Sequence, residues 1–554
     1  GGSLLSGYNS VNNSGTGNIS LNAGASSWFA RLSGSLRKAD NTKTPAGTLL
    51  NSQYQDNSLS ADVAVKPIEN QELKISFQRV RAENVGIPGG NSLFSSIAEV
   101  RYPSEERQLL KAEYNLHNIS GTLSNVSIRY YYQYILRDVE NIPHTVSKTP
   151  AQGSQPAKET DVLKITPNAR HYTNGLQLQT DWVTGKQNFI IAGIDAWQRK
   201  LDSRRERYIR VLTMNAKGDS VAKTVNQIVG ERPLPESSFR SIGLYLQDEL
   251  ELIKDELKIT LGGRFDQIHV TNQEVSNPVY LIVNGQRNDA PATRTIYWKE
   301  GKENNYSWSG NLGLLYSVSQ GLNLNFTAAR SFRSPSLEER YKYIDLGSLV
   351  QLGDPALKPE EGLFLDAGLR VFDDRLSCTF DAFLNSLTNM VAEKPGTYEG
   401  RPALINSNIG KARLYGFDLG ADYYVTGRVN LYTTASLVSG RDIEKDQYLP
   451  QVPPFNGKLG VRVPVYEYGE VDFSGTVFSA QNNVAAGEIK TPGYTYFDLY
   501  LNSAPVNFGD IKLKFYGGVE NLTDKAYRNH LATNRGLTAI EPGRNFFVKC
   551  VLAW

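Results

Sequence analysis

The stretch Leu257-Lys258-Ile259-Thr260-Leu261-Gly262-Gly263-Arg264-Phe265-Asp266 decides the fold. Its odd positions hold Leu257, Ile259, Leu261, Gly263 and Phe265; its even positions hold Lys258, Thr260, Gly262, Arg264 and Asp266. A strict period of two places the first set on one face of a strand and the second on the other. The same division separates Val471, Phe473 and Val477 from Asp472, Ser474 and Thr476. It also separates Leu376, Cys378, Phe380, Ala382 and Leu384 from Ser377, Thr379, Asp381 and Asn385. In a sandwich the apolar face would look inward. In a barrel that spans an outer membrane it looks at lipid, and the polar face lines a watery lumen.

The connections choose between the two. Short ones, such as Val183-Thr184-Gly185, Ser319-Gln320-Gly321, Asp373-Asp374-Arg375 and Val425-Thr426-Gly427, alternate with long ones. The long ones run roughly over Arg204 to Ser237, Asn272 to Asn304, Ser334 to Glu361 and Arg441 to Pro454. A membrane barrel has short turns on its periplasmic side and long loops outside, whereas a sandwich has no reason for such alternation. Counting the runs gives about 22 strands, an even number that returns both ends of the chain to one side. Strands of about 10 residues tilted near 45° cross the bilayer core. The last run, with Phe546, Val548, Cys550, Leu552 and Trp554 on one face, suits a strand that pairs to close the barrel. A propeller is disfavoured, because no blade-like repeat of fixed period occurs. The fold class predicted is all-β, a 22-stranded antiparallel transmembrane β-barrel over 1–554.

Composition agrees. The 554 residues include 30 Tyr, 21 Phe and 48 Gly but only 2 Met and 5 His, with a net charge of +2. Mean hydropathy is -0.39, and no run of 18 apolar residues marks a transmembrane helix. A balanced charge supplies no field for nucleic acid. Two distant cysteines, Cys378 and Cys550, form neither a disulfide framework nor a Cys-based metal site, and both fall on lipid-facing phases. The start, Gly1-Gly2-Ser3, carries no basic and apolar leader, which reads as a mature or truncated form. The five histidines, His117, His144, His171, His269 and His530, are scattered. No catalytic constellation, resident metal or cofactor is predicted, and the chain is not read as an enzyme.

The C-terminal half resembles the TonB-dependent transporter family. The stretches that carry the resemblance are Ser331-Phe332-Arg333-Ser334-Pro335-Ser336-Leu337-Glu338-Glu339 and Gly353-Asp354-Pro355-Ala356-Leu357-Lys358-Pro359-Glu360. They continue with Tyr415-Gly416-Phe417-Asp418, Thr491-Pro492-Gly493-Tyr494, Val519-Glu520-Asn521-Leu522-Thr523-Asp524-Lys525-Ala526-Tyr527 and Glu541-Pro542-Gly543-Arg544-Asn545-Phe546. The resemblance implies a 22-strand barrel in the bacterial outer membrane. It also implies a globular plug domain within the barrel, and a TonB-ExbB-ExbD complex that pulls on the plug to drive import of a scarce small-molecule metal chelate. The sequence begins where the first strand should begin, and no plug-like segment is found. The expectation is therefore that 1–554 is the barrel domain alone, with the plug removed, left out or supplied separately. A lumen this wide cannot be filled by barrel side chains, so a plug is physically expected.

Ligand contacts are sought at the outer mouth. Arg204, Arg205 and Tyr208 lie in a basic run with Arg199, Lys200, Arg207 and Arg210, read as a loop after the strand that ends near Trp197. Arginine offers planar, two-pronged contacts to anions and tyrosine a stacking face; the competing reading is a solvated loop or pairing with lipopolysaccharide phosphates. Arg333 continues the inward phase of Asn323, Asn325 and Thr327, just before Arg340, Tyr341 and Tyr343 in a loop. Arg129 and Tyr131 share the inward phase of another strand with Gln133 and Arg137, toward its outer end, while Tyr130, Tyr132 and Tyr134 face lipid as an aromatic girdle. Charge pairing with plug carboxylates competes with ligand contact for the inward arginines. Arg535 in the last outer loop completes the candidates.

Absences narrow the ligand. No His lies between Phe332 and Leu357, where haem receptors of this family carry one, and two Met argue against copper. A ferric siderophore, often anionic and aromatic, fits Arg and Tyr best. The alternatives are a passive diffusion pore, a haem or cobalamin importer of the same family, or a docking surface. Outer-membrane lipid and lipopolysaccharide are further expected partners; nucleic acid is not.

Overall fold

The computed structural model describes residues 1–88, 97–185, 187–345, 349–426, 428–534 and 539–554. Twenty-two strands form the wall. The first eight are β1 (Gly2–Asn9), β2 (Ser14–Ala25), β3 (Trp28–Ala39), β4 (Tyr54–Val65), β5 (Gln71–Ile87), β6 (Glu99–His117), β7 (Leu123–Ile142) and β8 (Lys158–Val183). Next come β9 (Asn188–Met214), β10 (Ser237–Ile253), β11 (Leu257–Asn272), β12 (Gly301–Ser319), β13 (Leu322–Arg333), β14 (Glu360–Phe372) and β15 (Leu376–Tyr398). The last are β16 (Arg401–Tyr424), β17 (Asn430–Asp442), β18 (Asn456–Val465), β19 (Gly469–Phe478), β20 (Tyr494–Ser503), β21 (Ile511–Glu520) and β22 (Asn545–Ala553). Each pairs antiparallel with the next, and β22 closes on β1 with Phe547 opposite Asn9 and Ala553 opposite Ser3. Closure removes the free edges that hydrocarbon does not tolerate.

The period of two becomes a lipid face and a lumen face as predicted. Leu244, Leu246, Leu261 and Phe265 are about half exposed on the outside, and their sequence neighbours Gly243 and Asp266 are buried on the inside. Aromatics rim the apolar band. Tyr130, Tyr132, Tyr306 and Trp308 stand toward the outer side; Tyr466, Tyr468, Phe508 and Trp554 stand toward the periplasm. None of the described helices is long and apolar enough to cross a membrane. Cys378 and Cys550 are free thiols.

One boundary differs from expectation. The basic segment from Arg204 is strand rather than loop. β8 and β9 pair without interruption from Val183–Phe189 to Lys158–Thr213, apart from one bulge at Val162/Lys164. At about 3.3 Å per residue this ladder is far longer than a bilayer needs, so its upper part stands outside as a rigid two-stranded ribbon. A further strand, Val221–Glu231, pairs with the upper β9, and Tyr280–Val283 adds to that one. The reason is chemical: beyond the lipid both faces are wet, so apolar alternation stops while backbone pairing continues.

Candidate functional site

The membrane-level wall of the lumen is ionic and largely self-neutralised. Arg129 lies 3.1 Å from Glu113, which also holds Lys111 at 2.7 Å. Arg264 meets Asp195 at 2.7 Å and Asp266 at 2.5 Å. Farther round, Arg370 meets Asp381 at 2.7 Å, and Arg462 lies 3.2 Å from both Asp472 and Asp422. Each arginine finds its carboxylates on the same or a nearby strand, because inward positions of paired strands stand side by side. Two lumen tyrosines lie flat where the opposite strand has glycine. A Cβ on Gly175 would come within 2.5 Å of the Tyr131 ring, and one on Gly193 within 2.4 Å of Tyr245.

Above this wall, the 334–359 segment folds into the mouth. It contains the one-turn helix α1 (Leu337–Tyr341), started by a reciprocal cap in which Glu339 N–H donates to Ser336 Oγ at 3.1 Å and Ser336 N–H to Glu339 Oε2 at 2.7 Å. Arg333, ending β13, grips Glu339 at 2.8 Å and Glu360 at 2.5 Å. Burial works to raise the Glu339 carboxyl, but the Arg333 and Ser336 hydrogen bonds prevail and hold it below its ordinary value. Leu337 and Tyr341 pack on Leu201, Phe239, Ile268 and Val270 of the inner wall. Beyond α1, Val350–Leu352 runs parallel to Ala403–Ile405 of β16.

Below α1 this packing leaves a recess of about 490 Å³. One wall is the stacked pair Trp197 and Phe239, with centroids 5.1 Å apart and planes within 8°. The Arg199 guanidinium lies 5.8 Å from the Trp197 ring and makes no hydrogen bond or ion pair among the described residues. Serine hydroxyls of Ser241, Ser309, Ser331, Ser334 and Ser336 line it too, together with the paired Arg264 and Asp266 and the apolar Ile268, Phe332 and Leu337, and Ser334 Oγ is buried without a hydrogen-bond partner among the described residues. A flat aromatic wall, an uncompensated guanidinium and convergent hydroxyls suit an anionic, partly aromatic guest.

The residues singled out from sequence fall into three groups. Arg129 and Tyr131 do face the lumen, but in the lower half of β7 rather than toward its outer end. The strand continues to Ile142, well past the lipid, and Arg129 is occupied by Glu113. Arg340, Tyr341 and Tyr343 are at most 3% exposed, so the expectation that they are presented from a loop needs correcting. Arg340 donates to the carbonyl of Pro355 at 2.6 Å, and burial pushes its guanidinium pKa down. Tyr341 belongs to the packed cluster under α1. Tyr343 stacks on Tyr297 at 3.9 Å, and burial followed by their mutual hydrogen bond pushes its phenol up. All three hold the inward-folded segment in place. Arg333 sits at the mouth as predicted and serves the same segment.

The third group is divided by strand parity. Arg205 points inward and is buried against Glu231 at 2.7 Å. Arg204 and Tyr208 lie on the outward face, where Tyr208 donates to Glu206 at 2.5 Å. These are therefore not one loop cluster, which corrects that reading. Arg535 lies outside the described residues. Sequence reasoning passed over the recess residues Trp197 and Phe239, and took Arg199 as part of the loop run. Counting parity upward from Ile190, Ala192, Ile194 and Ala196 on the lipid face would have placed Trp197 and Arg199 together inside.

Residues 35–522 match the family model described as TonB dependent receptor-like, beta-barrel. Among solved structures, the chain is similar to the copper transporter OprC, at 18% identity and a TM-score of 0.76, over 100% of this chain and 82% of that one. It is also similar to the ferric citrate transporter FecA in its unliganded form, at 16% identity and a TM-score of 0.69, over 100% and 78%. The ferric yersiniabactin uptake receptor FyuA from Yersinia pestis matches at 13% identity and a TM-score of 0.64, over 100% and 80%. At these identities the structures speak for the fold. Family members are outer-membrane transporters rather than enzymes and import small-molecule chelates with TonB-dependent energy. With the closed barrel, the lipid band and a family match across most of its length, the chain belongs to the TonB-dependent receptor family.

Proposed function

We propose that this barrel imports an anionic metal chelate, most simply a ferric siderophore, and that the chelate first seats in the recess beneath α1. The observation that carries the reading is Arg199, a guanidinium that has no carboxylate partner among the described residues and lies beside the stacked Trp197 and Phe239. A negatively charged chelate supplies the missing counter-charge, the aromatic wall takes its flat ligand rings, and the serines take its outer oxygens. Arg264, held by Asp266, lines the recess itself, and Tyr131 lies on the lumen wall along the way down. In this reading a plug domain fills the lumen beneath the recess, and the TonB-ExbB-ExbD complex pulls on it to release the cargo.

Copper, the cargo of the structurally similar OprC, finds less support in this barrel. Met390 packs against Ala412, Leu449 and Val452, and Met214 ends β9 at the far tip of the outer ribbon. The test is a titration of the receptor, purified with its plug, by a panel of ferric chelates, read through quenching of tryptophan fluorescence. Saturable binding of an anionic ferric chelate that weakens in Arg199→Gln supports the proposal. Binding of free copper but of no ferric chelate would overturn it.

A further inference from the structure

From its upper end to its floor, the recess beneath α1 changes sign. Asp195, Trp197 and Arg199 are successive inward positions of β9, so the carboxylate and the guanidinium stand about 13 Å apart along the strand, with the indole between them. Arg199, at the upper end, makes no ion pair among the described residues. At the floor Arg264 lies across Gly243, where a Cβ would collide with its guanidinium. That posture takes Arg264 to two carboxylates at once. Asp266, which lines the recess with it, accepts on both oxygens at 2.7 and 2.5 Å and is 3% exposed. Asp195 stands in register with Asp266 across Gly243 and accepts on Oδ1 alone, at 2.7 Å.

One guanidinium against two carboxylates leaves this group with one negative charge in excess. Asp195 Oδ2 accepts no hydrogen bond among the described residues, and its side chain keeps 23% of its surface exposed. The next cation along that row of the wall is Arg129, two strands and about 10 Å away beyond Gln177, and Glu113 holds it. A guest that is negative throughout is attracted by Arg199 and repelled at the floor. A guest with an ammonium at its lower end turns that repulsion into a second charge-assisted hydrogen bond.

Resting on the reading that an anionic metal chelate occupies this recess, we propose that the cargo is of mixed charge. Its negative coordination shell lies against Arg199 and the aromatic wall, and one pendant ammonium group donates to Asp195. The two ends also fix which way round the guest lies, with the amine pointing down the lumen.

The test is a fluorescence titration of the receptor, purified with its plug, by a ferric tris-catecholate chelate bearing one primary amine and by the same chelate N-acetylated. The wild type is expected to bind the amine form about tenfold more tightly. In Asp195→Asn that ratio is expected to fall to within about twofold of unity, whereas Arg199→Gln is expected to weaken both forms and keep the ratio. Equal affinity of the wild type for the two forms, a comparison that needs no variant, would overturn the mixed-charge inference while leaving the recess reading in place. So would a tenfold ratio that survives in Asp195→Asn. Failure of both forms to bind would overturn the anionic-chelate reading itself, and this inference with it.

Discussion

The membrane-level wall of the lumen and the recess beneath α1 hold arginine in two different states. At membrane level Arg129, Arg264, Arg370 and Arg462 each sit within 3.2 Å of a carboxylate. In the recess Arg199, unlike Arg333 beside it at the mouth, has an aromatic neighbour and no carboxylate partner among the described residues. A paired arginine stabilises the wall and leaves little field for a guest, whereas an unpaired one beside an aromatic face keeps its charge for a ligand. A wall that satisfies its own charges also asks nothing ionic of whatever fills the lumen.

Arg199→Gln is the sharpest way to break this comparison. Losing one charge-assisted contact should weaken anionic chelate binding about 10- to 100-fold by fluorescence titration, with thermal stability unchanged. A large loss of stability instead would make Arg199 a wall residue like the others. Arg264→Gln should do the reverse, leaving Asp195 and the buried Asp266 uncompensated. A loss on the order of 2–3 kcal/mol is expected in denaturant unfolding, less than for a fully dry pair because the lumen is wet. Adding Asp195→Asn and Asp266→Asn should restore most of it. Arg129→Gln should cost only about 1 kcal/mol, and chelate affinity should stay within about twofold of wild type, since ~0.4 kcal/mol would already change it that much. A larger affinity loss would extend the binding site down β7.

The smallest effect concerns α1. Folding holds the Glu339 carboxyl below its ordinary 4.5, so its contribution is complete above that value and disappears as pH falls through the lower, folded value. Amide exchange in Leu337–Tyr341 should therefore be as slow at pH 5 as at pH 7, once corrected for intrinsic rates, and should quicken on further acidification. Exchange that already quickens between pH 7 and 5 would implicate a different group, such as His171, 3.6 Å from Glu338.

The barrel was legible because lipid imposes a chemical difference on alternate residues, and Leu257 to Asp266 records it directly. The same logic fails where lipid ends. Arg204 to Met214 reads as loop because both faces of the ribbon are wet, although its ladder is continuous. The burial of Arg340, Tyr341 and Tyr343 was hidden for another reason. It depends on α1 turning inward onto Leu201 and Val270, contacts between segments far apart in the chain. The start of α1 was readable: Ser336 followed by Glu339 has the spacing of a reciprocal cap. Arg199 was readable too, by parity from Ile190, had the strand been carried past Trp197.

The central claim is that cargo seats in the recess beside Trp197 and Arg199. The most direct test is the structure of the receptor with its plug and a bound ferric chelate, with iron located by anomalous scattering. The account predicts the iron peak between the Trp197–Phe239 wall and α1, with a chelate oxygen in hydrogen-bond reach of the Arg199 guanidinium. A peak elsewhere, against the tyrosines of β20 or on the outward face of the ribbon, would contradict it.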